Sequence, residues 1–273
     1  MTLGRAQAAS QLDAHGLSPR RSLGQNFVVD ANTVRRIARL AGVGPGDRVV
    51  EVGAGLGSLT RALAETGATV LAVEIDQHLV PILRENVADF PNVTVVCADA
   101  MSADWAALLA DAPRWTLVAN LPYNVATPLI ADLLDDTPAI TSMLVMVQKE
   151  VAERLVAKPG TAAYGAVSVK VAYWATGSIV GTVPPSVFLP RPNVDSALVH
   201  LVRRSEPAVA DDVDRDALFA LVRAGFAQRR KMLRRALAGT ITTDVFAAAG
   251  IDPTARAEEL GIDDWGRLAR AAQ

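Results

Sequence analysis

Strand-like and helix-like segments alternate along the first half of this chain, and the alternation constrains the possible folds more than any other feature. Each strand-like segment is a short apolar run, and a segment with helical patterning follows it. The five predicted strands are Asp47–Val52, Thr69–Ile75, Val93–Cys97, Trp115–Ala119 and Ile140–Val147. Strands separated by helices at this spacing predict an α/β fold built on a doubly wound, mainly parallel sheet.

The second half of the chain departs from this pattern. Two further strands are predicted at Ser178–Val183 and Ala197–Val202, and a proline-rich loop instead of a helix joins them. Such a connection indicates an antiparallel addition at the sheet edge, which makes a seven-stranded sheet. The polar, acidic segment at 205–213 indicates a boundary. We therefore expect an α/β domain at 1–204 and a small all-α domain at 205–273.

The composition excludes several classes of protein. Of the 273 residues, 51% are hydrophobic and 21% are charged, which is not the composition of a disordered chain. The apolar runs are shorter than the ~20 residues of a membrane-spanning helix, so no membrane association is predicted. Residues 1–20 lack the apolar core of a secretory signal, so we expect a cytoplasmic protein with a partly flexible amino-terminal tail. One cysteine and three scattered histidines give no metal-ligand spacing, so no metal site is predicted.

A glycine-rich loop follows the first predicted strand, in the run EVGAGLG at 51–57. Glycines such as Gly53 and Gly55 let the backbone turn sharply and approach a ligand closely. The loop does not match the G-x-G-x-x-G spacing of dinucleotide-binding folds, because Ser58 stands where the last glycine would be. This mismatch argues against a nicotinamide-dependent dehydrogenase. Taken alone, the loop is also compatible with an ordinary strand-to-helix turn.

Two acidic residues at the ends of the next strands make a nucleoside ligand the better interpretation. Glu74 ends the second strand, where an acid commonly binds ribose hydroxyls and disfavours a 2′-phosphate. Asp99 ends the third strand, where a carboxylate can accept a hydrogen bond from the exocyclic amine of adenine. The carboxyl ends of parallel strands meet at one edge of the sheet. The loop and both acids therefore predict an adenosine-containing cofactor.

The sequence NLPY at 120–123, at the end of the fourth strand, indicates chemistry on an exocyclic amine. The Asn120 side-chain oxygen and the Leu121 backbone carbonyl can accept the two hydrogens of adenine N6, which aims the lone pair of the nitrogen at a methyl donor. Pro122 stiffens the turn, and Tyr123 can stack on the base, which is worth ~1–3 kcal/mol. The alternative is a proline-bent loop with a core tyrosine.

A second aromatic residue, Phe188, begins the proline-containing segment FLPRPNVDS at 188–196. The prolines favour an extended loop, and Phe188 can cover the other face of a base that has been extruded from its stack. The alternative is that Phe188 is a buried core residue.

Six basic residues fall within thirteen positions that contain no acid, although the chain as a whole carries a net charge of −2. They are Arg223, Arg229, Arg230, Lys231, Arg234 and Arg235. Further arginines flank residues 23–27, at positions 20, 21, 35, 36 and 39. Such clusters are typical of phosphate contacts with nucleic acid. A solvated helix face is the alternative interpretation of the six-residue cluster.

Together these motifs resemble the small-subunit ribosomal RNA adenine-N6,N6-dimethyltransferase family, over residues 18 to 268. The matching stretches are LGQNF at 23–27, EVGAGLG at 51–57, VEID at 73–76, NLPYN at 120–124, FLPRPNVDS at 188–196 and FAQRRKML at 226–233. Val28 departs from the family, in which leucine is more frequent.

The resemblance implies a class I methyltransferase fold with a small helical RNA-binding domain. It implies that S-adenosylmethionine contacts Asn26, Val28, Gly53, Glu74, Asp99 and Asn120. It also implies that two adjacent adenosines near the 3′ end of 16S rRNA each receive two methyl groups in an immature 30S subunit. A related branch, which methylates 23S rRNA adenine and confers macrolide resistance, remains an alternative, as does an assembly factor that binds the subunit. We expect a monomer, because no segment indicates a subunit interface.

Overall fold

A computed structural model describes residues 3–273. Its strands are β1 (Phe27–Val28), β2 (Arg48–Val52), β3 (Thr69–Glu74), β4 (Val93–Cys97), β5 (Trp115–Asn120), β6 (Ile140–Gln148), β7 (Ala175–Val183), β8 (Phe188–Leu189) and β9 (Ser196–Arg203). Its helices are α1 (Arg5–Ala14), α2 (Ala31–Ala41), α3 (Ser58–Ala64), α4 (Val80–Asn86), α5 (Trp105–Leu108), α6 (Ala126–Asp136), α7 (Lys149–Leu155), α8 (Ala166–Trp174), α9 (Arg215–Ala227), α10 (Leu233–Ala236), α11 (Thr243–Ala249) and α12 (Ile262–Ala271). No helix in this range is long and apolar enough to cross a membrane.

The predicted seven-stranded sheet is confirmed, with the strand order β4-β3-β2-β5-β6-β9-β7. Strands β2 to β6 pair in parallel, whereas β9 pairs antiparallel with β6. The central strands are largely apolar because helices cover both faces of a parallel sheet; Val49 and Val50 of β2 are fully buried. The order reverses between β2 and β5, which is where open α/β sheets bind ligands.

A two-stranded ladder between β1 and β8 joins two of the sequence motifs. Val28 pairs with Phe188, and Phe27 pairs with Leu189. The ladder holds the LGQNF segment against the proline-containing segment. The sequence did not predict this ladder, because two-residue strands carry no periodicity.

Residues 5–14 are not the tail that the sequence predicted, because they form helix α1. Ala8 and Leu12, one helical turn apart, are buried in a cluster with Leu79 and Ile82. The Arg5 guanidinium donates to the carbonyl of Phe188 (2.8 Å). The apolar residues of this short segment are mostly alanines, so only the tertiary packing shows that it belongs to the folded unit.

The chain folds into two compact units. One contains the described residues up to Ala152 together with Ser178–Val202, and the other contains Glu153–Gly177 together with Arg203–Gln273. The second unit therefore includes a segment at 153–177 that the predicted boundary at 204 assigned to the α/β domain. Tyr164 of this segment is buried and its hydroxyl donates to the Leu260 carbonyl (2.9 Å), which ties it to the carboxyl-terminal helices.

Candidate functional site

A cleft of about 710 Å³ opens in the first unit at the carboxyl ends of the central strands. The glycine loop after β2, the end of β3 and the turn after β5 form its walls, together with the segment before β1. Among the residues predicted from sequence, the cleft brings together Asn26, Val28, Gly53, Gly55, Glu74, Asn120, Leu121, Pro122 and Tyr123. The parallel arrangement explains the convergence, because every strand that contributes ends at this edge.

A second cleft, of about 510 Å³, adjoins the first and contains Asp99. The two clefts share four lining residues, including Gly53 and Pro122. Exposed apolar side chains of Ile75 and Met101 line the second cleft. Asp99 is exposed, and its Oδ1 accepts the Met101 backbone amide (2.9 Å). Two apolar surfaces beside a carboxylate suit a flat heterocycle that has an amine at its edge.

The glycine loop requires residues without side chains. Gly53 and Gly55 have positive φ angles of 74° and 56°. A Cβ atom on Gly55 would lie 2.9 Å from Cδ1 of Phe27. The Gly55 amide donates to Oε2 of Glu74 (2.7 Å), which binds the loop to the end of β3. Any larger residue at position 55 would therefore close the cleft or displace the segment around β1.

Two backbone amides hold the carboxylate of Glu74 in place. Oε2 accepts from Gly55, and Oε1 accepts from Asp76 (2.9 Å). Burial raises the pKa of Glu74, and these two hydrogen bonds oppose the rise. The carboxylate thus has a fixed orientation in the cleft before any ligand arrives.

Glu51 is a site residue that the sequence analysis missed. It lines the cleft and is almost fully buried, yet its Oε2 forms no hydrogen bond. Burial raises the pKa of Glu51 to about 8, and the charge of Glu74 adds to the rise. The nearby Thr60 hydroxyl opposes the rise, although it forms no hydrogen bond. A lone acid within the apolar run RVVEV was the available signal. Its unpartnered oxygen provides an acceptor for a positively charged ligand group.

We expect Glu51→Gln to remove a pH dependence of stability from the protein without cofactor. Between pH 4.5 and about 8 the folded state keeps a proton on Glu51 that the unfolded state has released. The free energy of unfolding should therefore fall as pH rises through this range, by about 1.4 kcal/mol for each pKa unit that separates the two states. Urea unfolding at pH 5 and pH 8.5 measures the difference. Asp99→Asn, at an exposed carboxylate, is the control, and an unchanged pH dependence in Glu51→Gln would contradict the assignment.

The side chain of Asn120 is anchored by one of its two polar atoms. Its Nδ2 donates to the backbone carbonyl of Asn26 (2.9 Å), and no other hydrogen bond of this side chain forms within residues 3–273. The Asn26 side chain is itself held, because its Nδ2 donates to the Gly24 carbonyl (3.1 Å). The Leu121 amide donates to the carbonyl of Met146 (3.1 Å), which fixes the turn to β6. Oδ1 of Asn120 therefore remains an oriented acceptor in the cleft.

Tyr123 lines the same cleft and is partly exposed. Its hydroxyl lies 3.0 Å from Oγ of Ser196. Burial raises the pKa of the phenol, so it stays protonated at neutral pH. Tyr123 takes part in no aromatic pair within the described part of the chain, and its side chain lines the cleft.

Phe188 is where the structure departs from the predicted site. The side chain has no exposed surface and packs in a core cluster with Leu59 and Leu63 of α3, and it does not line the cleft. In this structure Phe188 is therefore a core residue, which is the alternative interpretation given above. The reason is the β1–β8 ladder, which places Phe188 opposite Val28 with its side chain inside the unit.

The predicted basic cluster lies in the second unit, and one continuous helix does not carry it. Helix α9 ends at Ala227 and α10 begins at Leu233, because the amides of Leu233 and Arg234 donate instead to the carbonyls of Ala255 (2.8 Å) and Pro253 (3.0 Å). The exposed members of the cluster are Arg223, Arg230, Lys231, Arg234 and Arg235.

Arg229 differs from the other members of the cluster. Its guanidinium donates to Oε2 of Glu258 (2.6 Å) and to the carbonyl of Ala162 (2.7 Å). These hydrogen bonds join three segments of the second unit, so Arg229 has a structural role there.

Comparison with known proteins gives consistent similarities over nearly the whole chain. Residues 16–273 match the family model described as ribosomal RNA adenine dimethylase. The chain is 50% identical to ribosomal RNA small subunit methyltransferase A of Cutibacterium acnes, with 95% of this chain and 90% of the relative covered. It is 48% identical to the protein of the same name from Bifidobacterium longum subsp. infantis, with 94% and 89% covered.

Two solved structures are similar in fold. The crystal structure of the 23S rRNA methyltransferase ErmE has a TM-score of 0.69 and 28% identity, covering 90% of this chain and 98% of that one. The crystal structure of a dimethyladenosine transferase from Plasmodium falciparum has a TM-score of 0.74 and 23% identity, covering 88% and 94%. The latter comparison shows the fold alone.

Proposed function

The chain belongs to the ribosomal RNA adenine dimethylase family, and on that premise we propose that it dimethylates N6 of two adjacent adenosines near the 3′ end of 16S rRNA. One observation of the site carries the proposal. Asn120 is anchored through Nδ2 and presents Oδ1 to the cleft, which is the acceptor that an exocyclic amine requires. Identities of 50% and 48% to small-subunit enzymes, against 28% to the 23S enzyme, favour the small subunit as the substrate.

The cofactor of this family is S-adenosylmethionine, and the residues of both clefts fit it. The fixed carboxylate of Glu74 would bind the ribose hydroxyls. Asp99 would accept a hydrogen bond from the exocyclic amine of the adenine, which would lie beside the apolar surfaces of Ile75 and Met101. The unpartnered oxygen of Glu51 would accept a hydrogen bond from the ammonium group of the methionine part. When bound, S-adenosylmethionine supplies a methyl group on a positively charged sulfur.

The turn at 120–123 would prepare the amine for reaction. Adenine N6 is a weak nucleophile because its lone pair is delocalised into the ring. Oδ1 of Asn120 and the carbonyl of Leu121 would each accept one of its hydrogens, which favours a pyramidal nitrogen. Pro122 provides no competing donor in this turn. No general base is needed, because the methylated nitrogen is acidic and releases its proton to water.

Tyr123 would hold the base from one face. Its place in the lining of the cleft and its fixed hydroxyl suit stacking, which is worth ~1–3 kcal/mol for each base. Phe188 would need to leave the core to cover the opposite face, so the structure as it stands supports a one-sided stack.

We expect the double variant Arg230→Gln/Lys231→Gln to weaken binding to the 30S subunit and to flatten its dependence on salt. Both side chains are exposed and form no ion pair with other described residues, so each can contact a phosphate. The slope of log K against log salt concentration should fall by about 1 for each contact removed. The matched control is Arg84→Gln/Arg114→Gln, which removes the same charge from exposed positions of the first unit. Equal slopes in the two double variants would contradict an RNA-binding role.

The proposed function is tested by incubating the protein and S-adenosylmethionine with immature 30S subunits that lack these methyl groups. Mass spectrometry of the 16S rRNA nucleosides should show dimethyladenosine, located by nuclease mapping to two adjacent positions near the 3′ end. Methylation at other positions, or no methylation above the blank without enzyme, would refute the proposal.

The same proposal includes a monomer that acts in the cytoplasm, where its ribosomal substrate lies. Light scattering at the concentration of the activity assay measures the oligomeric state directly.

A further inference from the structure

Ser196 ends the segment FLPRPNVDS, and the proposed function gives it no role. It is the first residue of β9 and has no exposed surface. Its backbone pairs with Gln148 in the ladder between β6 and β9. Its hydroxyl lies 3.0 Å from the hydroxyl of Tyr123 in the cleft. A fully buried serine on a central strand thus reaches a side chain that the proposed function assigns to the base.

The contact ties the free end of the Tyr123 ring to the sheet. The other end of the ring is fixed by the turn at Pro122, whose carbonyl accepts the amides of Val125 and Ala126 (both 3.1 Å). No aromatic ring packs beside Tyr123 within residues 3–273, so side-chain packing of that kind does not set the position of the ring. A ring held at both ends keeps its long axis in one direction, whereas a ring held only at its Cβ end can swing about χ1.

We propose that Ser196 is a positioning residue for the methyl transfer: it fixes the position of the long axis of the Tyr123 ring in the cleft, so that a base stacked on the ring presents its amine to Asn120. This inference rests on the proposed function of the cleft. Ser196 has no surface in the cleft and acts only through the tyrosine. Small displacements of a reacting group lower the rate strongly, even when binding survives.

The inference predicts a specific pattern in a double-mutant cycle. Ser196→Ala and Tyr123→Phe each remove one hydroxyl and keep the ring and the strand. We expect each to lower kcat on immature 30S subunits by roughly 3- to 30-fold, with KM for S-adenosylmethionine unchanged. We expect the double variant to lose no more than either single variant, because both changes remove the same hydrogen bond.

Ser142→Ala is the matched control. Its Oγ lies 3.0 Å from Nε2 of His200, a serine hydrogen bond that joins β6 to β9 at the opposite end of the ladder from Ser196 and away from the cleft. It should lower the midpoint of thermal unfolding about as much as Ser196→Ala does, while kcat stays at the wild-type value. A loss of stability alone therefore cannot imitate the expected result.

The outcomes separate the two proposals. If the wild-type protein does not methylate 30S subunits, the proposed function fails. If the wild type is active and Ser196→Ala matches it in kcat, or if the two single effects multiply in the double variant, the positioning role is overturned and the proposed function stands. A fall in kcat for Ser142→Ala equal to that for Ser196→Ala would also overturn it.

Discussion

Asn120→Ala is expected to lower kcat for methyl transfer by about 10²- to 10³-fold, while the protein keeps its fold. The substitution removes Oδ1, the oriented acceptor for one hydrogen of the amine, and it frees the turn from the carbonyl of Asn26. The anchor is a single, partly buried hydrogen bond, so the cost in stability is only about 1 kcal/mol. Single-turnover transfer of labelled methyl groups to 30S subunits measures the rate of the chemical step.

The control for this prediction is Asn32→Ala, at an exposed asparagine on α2. It should retain the wild-type rate and the wild-type circular dichroism spectrum. An Asn120→Ala protein that transfers methyl groups at the wild-type rate would remove Asn120 from the proposed chemistry and leave the cleft without its amine acceptor.

Replacement of Glu74 should produce the largest loss of cofactor affinity. Both of its carboxylate oxygens accept hydrogen bonds from backbone amides, of Gly55 and of Asp76, so the side chain holds the glycine loop and, in the proposed function, a ribose as well. A hydrogen bond to a charged group is worth about 1.5–3 kcal/mol. Glu74→Ala would remove the ribose contacts and would also disorder the glycine loop. We therefore expect Kd for S-adenosylmethionine to rise on the order of 10²-fold.

Glu74→Gln should be nearly as damaging, because its amide nitrogen would face a backbone N–H wherever it points. Calorimetric titration of each variant with the cofactor gives Kd directly and needs no RNA. Glu85→Gln, at an exposed glutamate on α4, is the control. Wild-type affinity in Glu74→Gln would show that the carboxylate does not hold the cofactor.

The site was predictable where one short segment carries both the signal and the chemistry. The glycine loop at Gly53 and Gly55, the acid at Glu74 and the turn at Asn120 each follow a strand that its apolar run identifies. The edge at which parallel strands end is common to all of them, so their meeting in one cleft follows from the fold class. Asp99, in the adjoining cleft, follows by the same argument.

The site was not predictable where a residue's role depends on which surface it meets. The motif around Phe188 is the same whether its side chain faces a base or the core. The pairing of its backbone with Val28 places the side chain in the core. By sequence, Glu51 is an ordinary acid near the end of a strand, and only its burial shows that its pKa is raised to about 8 in the protein without cofactor. Arg229 belongs by sequence to a basic cluster, yet Glu258 and the Ala162 carbonyl bind it.

The amino-acid sequence by itself determined the seven strands of the sheet, the edge at which the cleft opens and the class of chemistry, because periodicity and short motifs are local properties. The tertiary structure alone decided that residues 5–14 pack as a helix, that residues 153–177 join the carboxyl-terminal helices, and that Asn120 is anchored by the carbonyl of Asn26. These outcomes depend on interactions between segments far apart in the chain. Their free energy comes from surfaces that meet only after folding, and no local pattern records which surfaces those are.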